Sequence, residues 1–350
     1  MSRSWHGGWA PLVTHNSLSS PLTIVDWRHV DAALLTQCYT RERAQWRDVL
    51  RWETSWTWTM VERARVTWGL PGFMALDPSG AVRGWSFQLI EHGAVRIGGI
   101  VTDSAEVTTK LVDRILEHAR EVKAELVSCF IAERAPGLDA VLAARGFDCE
   151  PFDYLTRELS WSTDEAQKAS AASAASGRDP VTYEPWDHDM VAAADLFAAA
   201  YDTTSALHFT TGGTIPEWRT YVRQLVEQPA CGSLDDAGTL MLRDSRGLAA
   251  LALVTTLAPD TAHLAQIAVR PDCQGHGIAR RMLIEALVRA TAQRRRAMTL
   301  LVAGSNAAAR HLYEGEGFRR TGGFLAGRVA LRSSVTIAAP RSTSGSQQRS

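Results

Sequence analysis

The sequence lacks paired cysteines, an excess of charge and long apolar runs, and each absence excludes a class of protein. The formal net charge of the 350 residues is −1, which argues against nucleic-acid and membrane partners. The five cysteines include no C-x-x-C pair, which argues against disulfides and a zinc site and favours a reducing, cytoplasmic location. No apolar run approaches the roughly 20 residues of a membrane-spanning helix. The N-terminus also lacks the apolar core of a signal peptide.

The chain divides into two halves around a segment of low complexity. Its 350 residues are enough for two domains that each bury a core. Residues 161–180 are rich in alanine and serine and have little apolar surface to bury, so we predict a linker there. We therefore expect domains over residues 22–160 and 181–335, with a loosely held arm at 1–21 and a disordered tail at 336–350.

A strand, a glycine loop and a helix follow one another between His263 and Ile284. The apolar strand stops at Pro271, the glycines lie at 275 and 277, and a helical apolar pattern follows. A helix N-terminus favours an anion because its first N–H groups are unpaired, and glycines let the main chain approach that anion closely. The pattern indicates a phosphate site. It is neither a Walker loop, since no G-K-[ST] follows, nor the dinucleotide fingerprint, whose glycine spacing differs.

A second motif lies downstream of this loop. Residues 306–318 fit the pattern N-x-x-A-x-x-L-Y-x-x-x-G-F, which begins at Asn306 and contains Tyr313. This helix and the Q-x-x-G-x-A loop after A-V-x-P, which fits the family form Q/R-x-x-G-x-G/A, together resemble the two signature motifs of the GNAT N-acetyltransferase superfamily, in the same order and at the same separation. The resemblance implies an α/β (α+β) fold, with a mixed, mostly antiparallel central sheet flanked by helices.

The two halves repeat the same order of predicted elements at an offset of about 170 residues, so the resemblance implies two tandem GNAT-like domains. In this comparison Val101 corresponds to Val269, and Leu142 stands at the place of Tyr313. At the loop itself, the first half has branched side chains where the second has small residues: Val107, Thr109 and Leu111 against Gly275, Gly277 and Ala279. We interpret residues 22–160 as a degenerate copy that does not bind the cofactor.

The resemblance also implies acetyl-CoA as the co-substrate, without a metal. The central strands would separate after residues 267–269, and the pantetheine arm would pair with the main chain there. Asn306 would position that arm, although it also fits a helix N-cap. A main-chain N–H near Ala268 or Val269 would polarise the thioester carbonyl. The residues expected to bind the cofactor are Ile267, Ala268, Val269, Gln274, Gly275, His276, Gly277, Ile278, Ala279, Arg280 and Asn306.

Acetyl transfer to an amine needs one group that takes a proton and another that gives one. Tyr313 is the family's usual acid for the departing thiolate. Some relatives carry a glutamate base six residues before the position of Val269, and His263 stands there in this chain, with the unperturbed pKa of about 6.5 expected of a histidine. Other relatives carry the glutamate on the next strand, where this chain has Leu301. The acceptor site could instead be lined by Glu227, Asp235 and Asp236.

The expected function is direct transfer of an acetyl group to a primary amine of a small molecule or protein. One alternative is an acyl-CoA-binding module without catalysis. Another is an interaction protein that docks a partner on its first domain, where a predicted helical stretch from Val25 to about Val66 contains Trp52, Trp56 and Trp58. These indoles fit core and inter-domain packing, or an aromatic wall for a substrate. The acceptor and the oligomeric state remain open.

Overall fold

A computed structural model describes residues 22–91, 93–160, 182–201, 210, 213–227 and 231–331. The predicted arm and linker and the whole predicted tail lie outside these residues. Among the described residues, no helix has both the length and the apolar character needed to cross a bilayer.

The first half begins with a strand and two helices and ends with a long strand. Its elements are β1 (Thr23–Asp26), α1 (Ala32–Leu50), α2 (Ser55–Trp68), β2 (Gly72–Leu76), β3 (Val82–Glu91), β4 (Ala94–Thr102), α3 (Ala105–Glu121), β5 (Leu126–Ala132), α4 (Leu138–Ala143) and β6 (Asp148–Glu158). The helical stretch expected from Val25 to Val66 was therefore wrong at its start and in its continuity. Asp31 caps α1 with its side chain, and Arg51 ends that helix in the left-handed conformation before α2 begins.

The described part of the second half follows the same plan. Its elements are α5 (Met190–Ala200), α6 (Ile215–Glu227), β7 (Ser233–Leu234), β8 (Leu240–Asp244), β9 (Gly247–Ala258), β10 (Thr261–Val269), α7 (Ile278–Ala292), β11 (Ala297–Ala303), α8 (Ala307–Gly315) and β12 (Arg319–Ala330). Before α5, Glu184 forms a single bridge with Met241 of β8.

All the described strands join in one 12-stranded sheet, in the order β1-β2-β3-β4-β5-β12-β6-β11-β10-β9-β7, with β8 on β9. Only β4–β5 and β10–β11 pair in parallel within the described chain. The expectation of a mixed, mostly antiparallel sheet flanked by helices is confirmed. The tandem arrangement is confirmed as well.

The last strand of each half lies in the sheet of the other half. β12 runs between β5 and β6, pairing Gly327 with both Cys129 and Cys149. β6 in turn pairs with β11, placing Tyr154 opposite Leu301. The two halves are therefore joined by exchanged strands, and their sheets are continuous in hydrogen bonding.

The core consists of separate apolar layers on the faces of this sheet. In the first half, α3 packs on one face, and α1 and α2 pack with Trp27, Trp58 and Trp85 on the other. In the second half, α7 and α8 cover one face while α5 and α6 cover the other. A smaller cluster crosses the boundary, because Leu50 and Trp52 of the first half pack with Leu257 of the second.

Candidate active site

Two parallel strands separate at the centre of the second half. β10 pairs with β11 only from Thr261–Ala297 to Leu264–Leu300, although β10 continues to Val269 and β11 to Ala303. A bulge at Ala265 changes the course of β10 where the pairing stops. The result is a slot between the two strands that begins after Leu264, earlier than residues 267–269, where the family resemblance implied it.

The orientation of main-chain groups along β10 decides which of them face this slot. The N–H of Arg270 donates to the carbonyl of Ala249 on β9, on the side away from β11. Because groups alternate along an extended strand paired on one side, the N–H groups of Val269 and Ile267 face the slot, and that of Ala268 faces β9. Val269 is therefore the better placed of the two residues considered for polarising a carbonyl.

The glycine loop follows β10 and leads directly into α7. Gly275 and Gly277 have φ angles of 76° and 71°, in the left-handed region that side chains disfavour. Gly277 is the N-cap residue of α7, and no side chain caps this helix. The N–H groups of Ile278, Ala279 and Arg280 therefore lie at an exposed helix start, where the helix dipole favours an anion.

Contacts within the loop hold its shape. Gln274 donates from Nε2 to the carbonyl of Val269 at 2.9 Å, so its side chain ties the loop to the end of β10. His276 Nδ1 lies 2.8 Å from the carbonyl of Gln274, and Arg281 donates to the carbonyl of His276 at 3.1 Å. Arg280 is 64% exposed and pairs with Glu316 on the neighbouring helix segment at 2.6 Å. The main chain of the loop is thus left to face a ligand.

Asn306 and Tyr313 lie at the two ends of α8. Asn306 is the N-cap residue and accepts from the N–H of Ala309 at 3.0 Å, which agrees with the structural role considered above. Tyr313 is buried, its ring meets the edge of Phe318 at 6.0 Å, and its carbonyl accepts from the N–H of Phe318. Burial raises the pKa of the Tyr313 phenol, so the hydroxyl remains protonated at neutral pH.

His263 lies behind the slot, where β10 and β11 are still paired. Its Nδ1 is 2.9 Å from the Thr299 hydroxyl, and its ring stacks on Tyr154 at 6.2 Å and contacts Trp52 at 6.0 Å. The residue is only 3% exposed, and burial lowers its pKa to about 4. The expectation of an unperturbed pKa was therefore wrong, because the first half covers this imidazole with two aromatic rings.

The acidic residues suggested for the acceptor site have other surroundings. Asp235 pairs with Arg295 at 3.4 Å and accepts from the N–H of Gly238, and Asp236 pairs with His188 at 2.9 Å. Glu227 ends α6 at the surface. Leu301 joins the aromatic cluster around Trp52. No group of three or more His, Cys, Asp or Glu residues among the described ones is arranged to hold a metal ion.

Sequence reasoning missed a buried polar chain beside the slot. Gln266 lies on β10 directly after the bulge and is 4% exposed. Tyr201, at the end of α5, donates to its Oε1 at 2.5 Å, and its Nε2 donates to the hydroxyl of Tyr221 on α6 at 2.6 Å. A glutamine within an otherwise apolar strand could have indicated a buried partner, since a buried amide requires hydrogen bonds. The partners themselves come from distant helices.

Two open surface grooves, of about 580 and 440 Å³, lie away from the slot. They run beside the end of α8 and are lined by charged residues including Arg157, Glu316 and Arg319. Arg157 donates to the carbonyl of Glu316 at 2.6 Å, and Arg319 donates to that of Phe318 at 2.8 Å. Because the slot and the exposed helix start both adjoin the end of β10, we place the candidate site at the slot.

The first half keeps the separated strands but not the loop. β4 and β5 pair in parallel only up to Ile97–Cys129, as β10 and β11 do up to Leu264–Leu300. The last paired residues of β4 and β10, Ile97 and Leu264, are 167 residues apart. Ala119 and Ala290, near the ends of the following helices, are 171 residues apart, and their carbonyls accept equivalent hydrogen bonds. The first half is thus four residues shorter between this strand and the end of the following helix.

This difference corrects two sequence-based expectations. Thr102, not Val101, occupies the place of Val269, because the strand offset is 167. Val107, Thr109 and Leu111 are helical residues of α3 and do not replace the glycines of a loop. The Ser104 side chain caps α3 by accepting from the N–H of Val107, and Thr102 donates its N–H to the carbonyl of Arg134, across the open end of the slot.

Comparisons with known proteins agree with this geometry. The model of the acetyltransferase (GNAT) family matches residues 201–318. The match lies in the second half, and the described chain has the fold of a tandem GNAT protein. A GCN5-related N-acetyltransferase from Sphaerobacter thermophilus has a similar fold, with a TM-score of 0.61, 15% identity, and coverage of 89% of this chain and 96% of that one. A tandem GNAT protein from the clavulanic acid biosynthesis pathway gives a TM-score of 0.51 and 16% identity, and the match covers 76% and 84% of the two chains. No curated protein matches the sequence.

Proposed function

We propose that this protein is an N-acetyltransferase that uses acetyl-CoA and transfers the acetyl group directly to a primary amine. The observation that carries the proposal is the uncapped start of α7, with Gly275 and Gly277 in the left-handed conformation, next to separated parallel strands. An exposed helix start suits a pyrophosphate, and a strand with unpaired main-chain groups suits an extended amide-containing arm. The residues present therefore fit the co-substrate.

Acetyl-CoA supplies an acetyl group activated as a thioester. The N–H groups at the start of α7 bind its phosphates, and the main chain of Ile267 and Val269 orients its arm along β10. The N–H of Val269 or Ile267 stabilises negative charge on the carbonyl oxygen as the amine nitrogen bonds to the carbon. When the carbon–sulfur bond breaks, the Tyr313 hydroxyl gives its proton to the sulfur.

The nitrogen must also lose a proton, and His263 is the proposed base. Its imidazole is neutral above a pKa of about 4, so it can accept a proton in the physiological range, as a weaker base than a free histidine. The competing possibility is that water takes this proton. Either route forms an acetamide and a free thiol from an amine and a thioester, with no oxidant, reductant or metal in the balance.

A turnover screen with the full-length chain tests this function. Acetyl-CoA would be offered with amines, amino acids, aminoglycosides and peptides, and release of free thiol would be measured. We expect turnover with at least one class, abolished by Gly277→Val, because a branched side chain strains the left-handed position and blocks the phosphate site. Binding of acetyl-CoA without turnover on any acceptor would favour the acyl-CoA-binding module. Absence of binding would refute both functions.

A further inference from the structure

The hydroxyl of Thr299 is the hydrogen-bond partner of the His263 imidazole. The two residues stand opposite each other in the paired part of β10 and β11, one position before the slot begins, and both are buried. Nδ1 of His263 lies 2.9 Å from Oγ1 of Thr299, and Nε2 has no hydrogen-bond partner among the described residues. The same hydroxyl donates to the carbonyl of Ala262 at 3.4 Å. A polar chain thus leads from the imidazole through Thr299 to the main chain of β10.

This chain decides which ring nitrogen carries the proton. A neutral imidazole has one donor and one acceptor nitrogen, and a threonine hydroxyl can donate one proton while it accepts another. With the proton on Nδ1, His263 donates to Thr299 and Thr299 donates to Ala262, so two hydrogen bonds form together. With the proton on Nε2, Thr299 must donate to Nδ1 instead, and the Nε2–H group has no acceptor among the described residues. A buried N–H without an acceptor is rarer in native proteins than an acceptor without a donor, so the geometry favours the proton on Nδ1.

The surroundings hold the imidazole in place without a charge of their own. Tyr154 stacks on the ring with the planes 13° apart, and Trp52 contacts it at 35°. Thr255 stands opposite His263 on β9, and its hydroxyl donates to the carbonyl of Cys231 at 2.5 Å. Burial raises the pKa of the Tyr154 phenol and raises that of the Cys231 thiol to about 11, so both stay protonated at neutral pH. The groups that face the imidazole from β6, β9 and β11 are therefore uncharged, and the hydroxyl of Thr299 is the polar group that orients it.

We propose that Thr299 is a positioning residue, which holds the proton of His263 on Nδ1 and leaves Nε2 as the nitrogen that takes the proton of the acceptor amine. The proposal rests on the proposed acetyltransferase function, in which His263 is the base. During the transfer an N–H bond of the acceptor breaks and an N–H bond forms at Nε2, while the proton on Nδ1 keeps its hydrogen bond to Thr299. The ring then carries a positive charge, and a hydrogen bond from a charged donor is stronger than one from a neutral donor. Thr299 therefore both directs the base and stabilises its protonated form.

The position of the proton can be measured by NMR on the full-length protein with isotope-labelled histidine. Protonated and unprotonated ring nitrogens have well-separated chemical shifts, and His263→Gln identifies the signals of this residue among the 10 histidines. At neutral pH we expect Nδ1 to be protonated and Nε2 to be unprotonated. Thr299→Val replaces the hydroxyl by a methyl group of similar size, and the proton should then move to Nε2, because Nδ1 has lost its acceptor. Thr299→Ser should keep the wild-type pattern.

Turnover measures the consequence for the reaction. With acetyl-CoA and the acceptor that the turnover screen gives, Thr299→Val should lower kcat/KM about tenfold, as the loss of one hydrogen bond to a charged ring allows. The affinity for acetyl-CoA should not change, and Thr299→Ser should recover the wild-type rate to within about twofold. Ser128→Ala is the matched control, since Ser128 stands opposite Arg96 in the first half as Thr299 stands opposite His263. It should change neither the tautomer nor the rate.

Each outcome decides a different step. A wild-type ring protonated on Nε2, or a proton that stays on Nδ1 in Thr299→Val, would overturn the inference. A changed tautomer with an unchanged kcat/KM would show that Nε2 does not take the proton and would remove the positioning role. Absence of acetyl-CoA binding, or of turnover on every acceptor, would refute the proposed function instead, and NMR would still decide whether Thr299 sets the tautomer. If Thr299→Val does not fold, as judged by its thermal unfolding, Thr299→Ala removes the same hydroxyl without adding an atom.

Discussion

The two halves of the molecule have the same separated pair of parallel strands and differ in the connection that leads from the first of these strands to the next helix. In the second half eight residues lie between β10 and α7, and the helix begins without a side-chain cap. In the first half only two residues connect β4 to α3, and Ser104 caps the helix. The comparison favours a phosphate site in the second half alone, since a helix start closed by its own cap offers no place for an anion.

The two halves also differ in the side chains that cover the sheet beside these strands. In pairing with the neighbouring strand, Gly99 stands opposite Phe87 as Gln266 stands opposite Leu253. The Phe87 ring covers this part of β4 so closely that a Cβ on Gly98 would lie 2.2 Å from it. Aromatic packing in the first half thus occupies the space that holds a polar chain in the second. The interior of the first half is therefore apolar at this place, while that of the second half contains polar groups.

Removal of the first half should have the largest effect. A fragment of residues 182–350 lacks β5 and β6, which flank β12, and exposes the edge of β11 that β6 covers. We expect it to aggregate or remain unfolded in size-exclusion chromatography and circular dichroism. As a control, proteolytic cleavage within residues 161–180 of the folded protein should leave the two pieces associated. A monodisperse fragment that binds acetyl-CoA would show that the halves are independent.

Substitution in the glycine loop should come next. Gly277→Val should weaken acetyl-CoA binding by about 100-fold or more, because the left-handed position and the approach of the main chain are both lost. Gly137→Val is the matched control, since Gly137 begins α4 of the first half with a φ of 67°. Calorimetry should give one site per chain in the control protein. Two sites, or one that survives Gly277→Val, would contradict the difference between the halves.

Substitution of Tyr313 should affect catalysis, whereas substitution of Leu142, its counterpart in the first half, should affect stability. Tyr313→Phe should lower kcat on the order of 100-fold while acetyl-CoA affinity and the melting temperature change little. Leu142 occupies the equivalent place, as both residues accept from the N–H of a following phenylalanine. Leu142→Ala should cost about 2–5 kcal/mol of unfolding free energy through a cavity. An unchanged kcat in Tyr313→Phe, with chemistry rate-limiting, would assign proton donation elsewhere.

The smallest effect should be the pH dependence of His263. The folded pKa of about 4 lies below the unfolded value of about 6.5, so the unfolded chain binds more protons between these values. Stability should therefore be complete above pH 6.5 and fall as the pH falls toward 4, by about 2 kcal/mol at pH 5. Chemical denaturation at several pH values measures this loss, and His263→Gln should remove it.

A kinetic prediction also concerns His263. If His263 is the base, the acid limb of kcat/KM should lie near pH 4, because only the neutral imidazole accepts a proton. Arg96, at the corresponding position of the first half, is exposed and provides a control site for substitution. If kcat/KM instead falls between pH 6 and 7, and does so in His263→Gln as well, another group is the base and His263 has a structural role.

The sequence predicted most elements of the second half because these depend on local patterns, whereas the slot was implied by the family resemblance and begins earlier than it implied. The apolar strand before Pro271, the glycines and the helix carrying Tyr313 each leave a signal within a few residues. The length difference between the halves could also be predicted from the sequence, by comparing the distance from strand to helix in each half. A constant offset of about 170 residues pairs Val101 with Val269 and hides this difference.

The exchange of β6 and β12 could not be predicted in this way. Both strands mix apolar and charged residues, and nothing in a strand's own residues says which edge it will join. The burial of His263 was hidden for the same reason, since Trp52 and Tyr154 reach it from the other half. The chain from Tyr201 to Gln266 also depends on a distant helix.

The exchange of strands has a consequence for the order of events on the ribosome. The first half emerges early, yet the position between β5 and β6 is filled only by β12, which spans residues 319–330. Until residue 330 has been synthesised, these two strands expose unpaired edges that invite association with other chains. The first half therefore cannot complete its part of the sheet before β12 has left the ribosome.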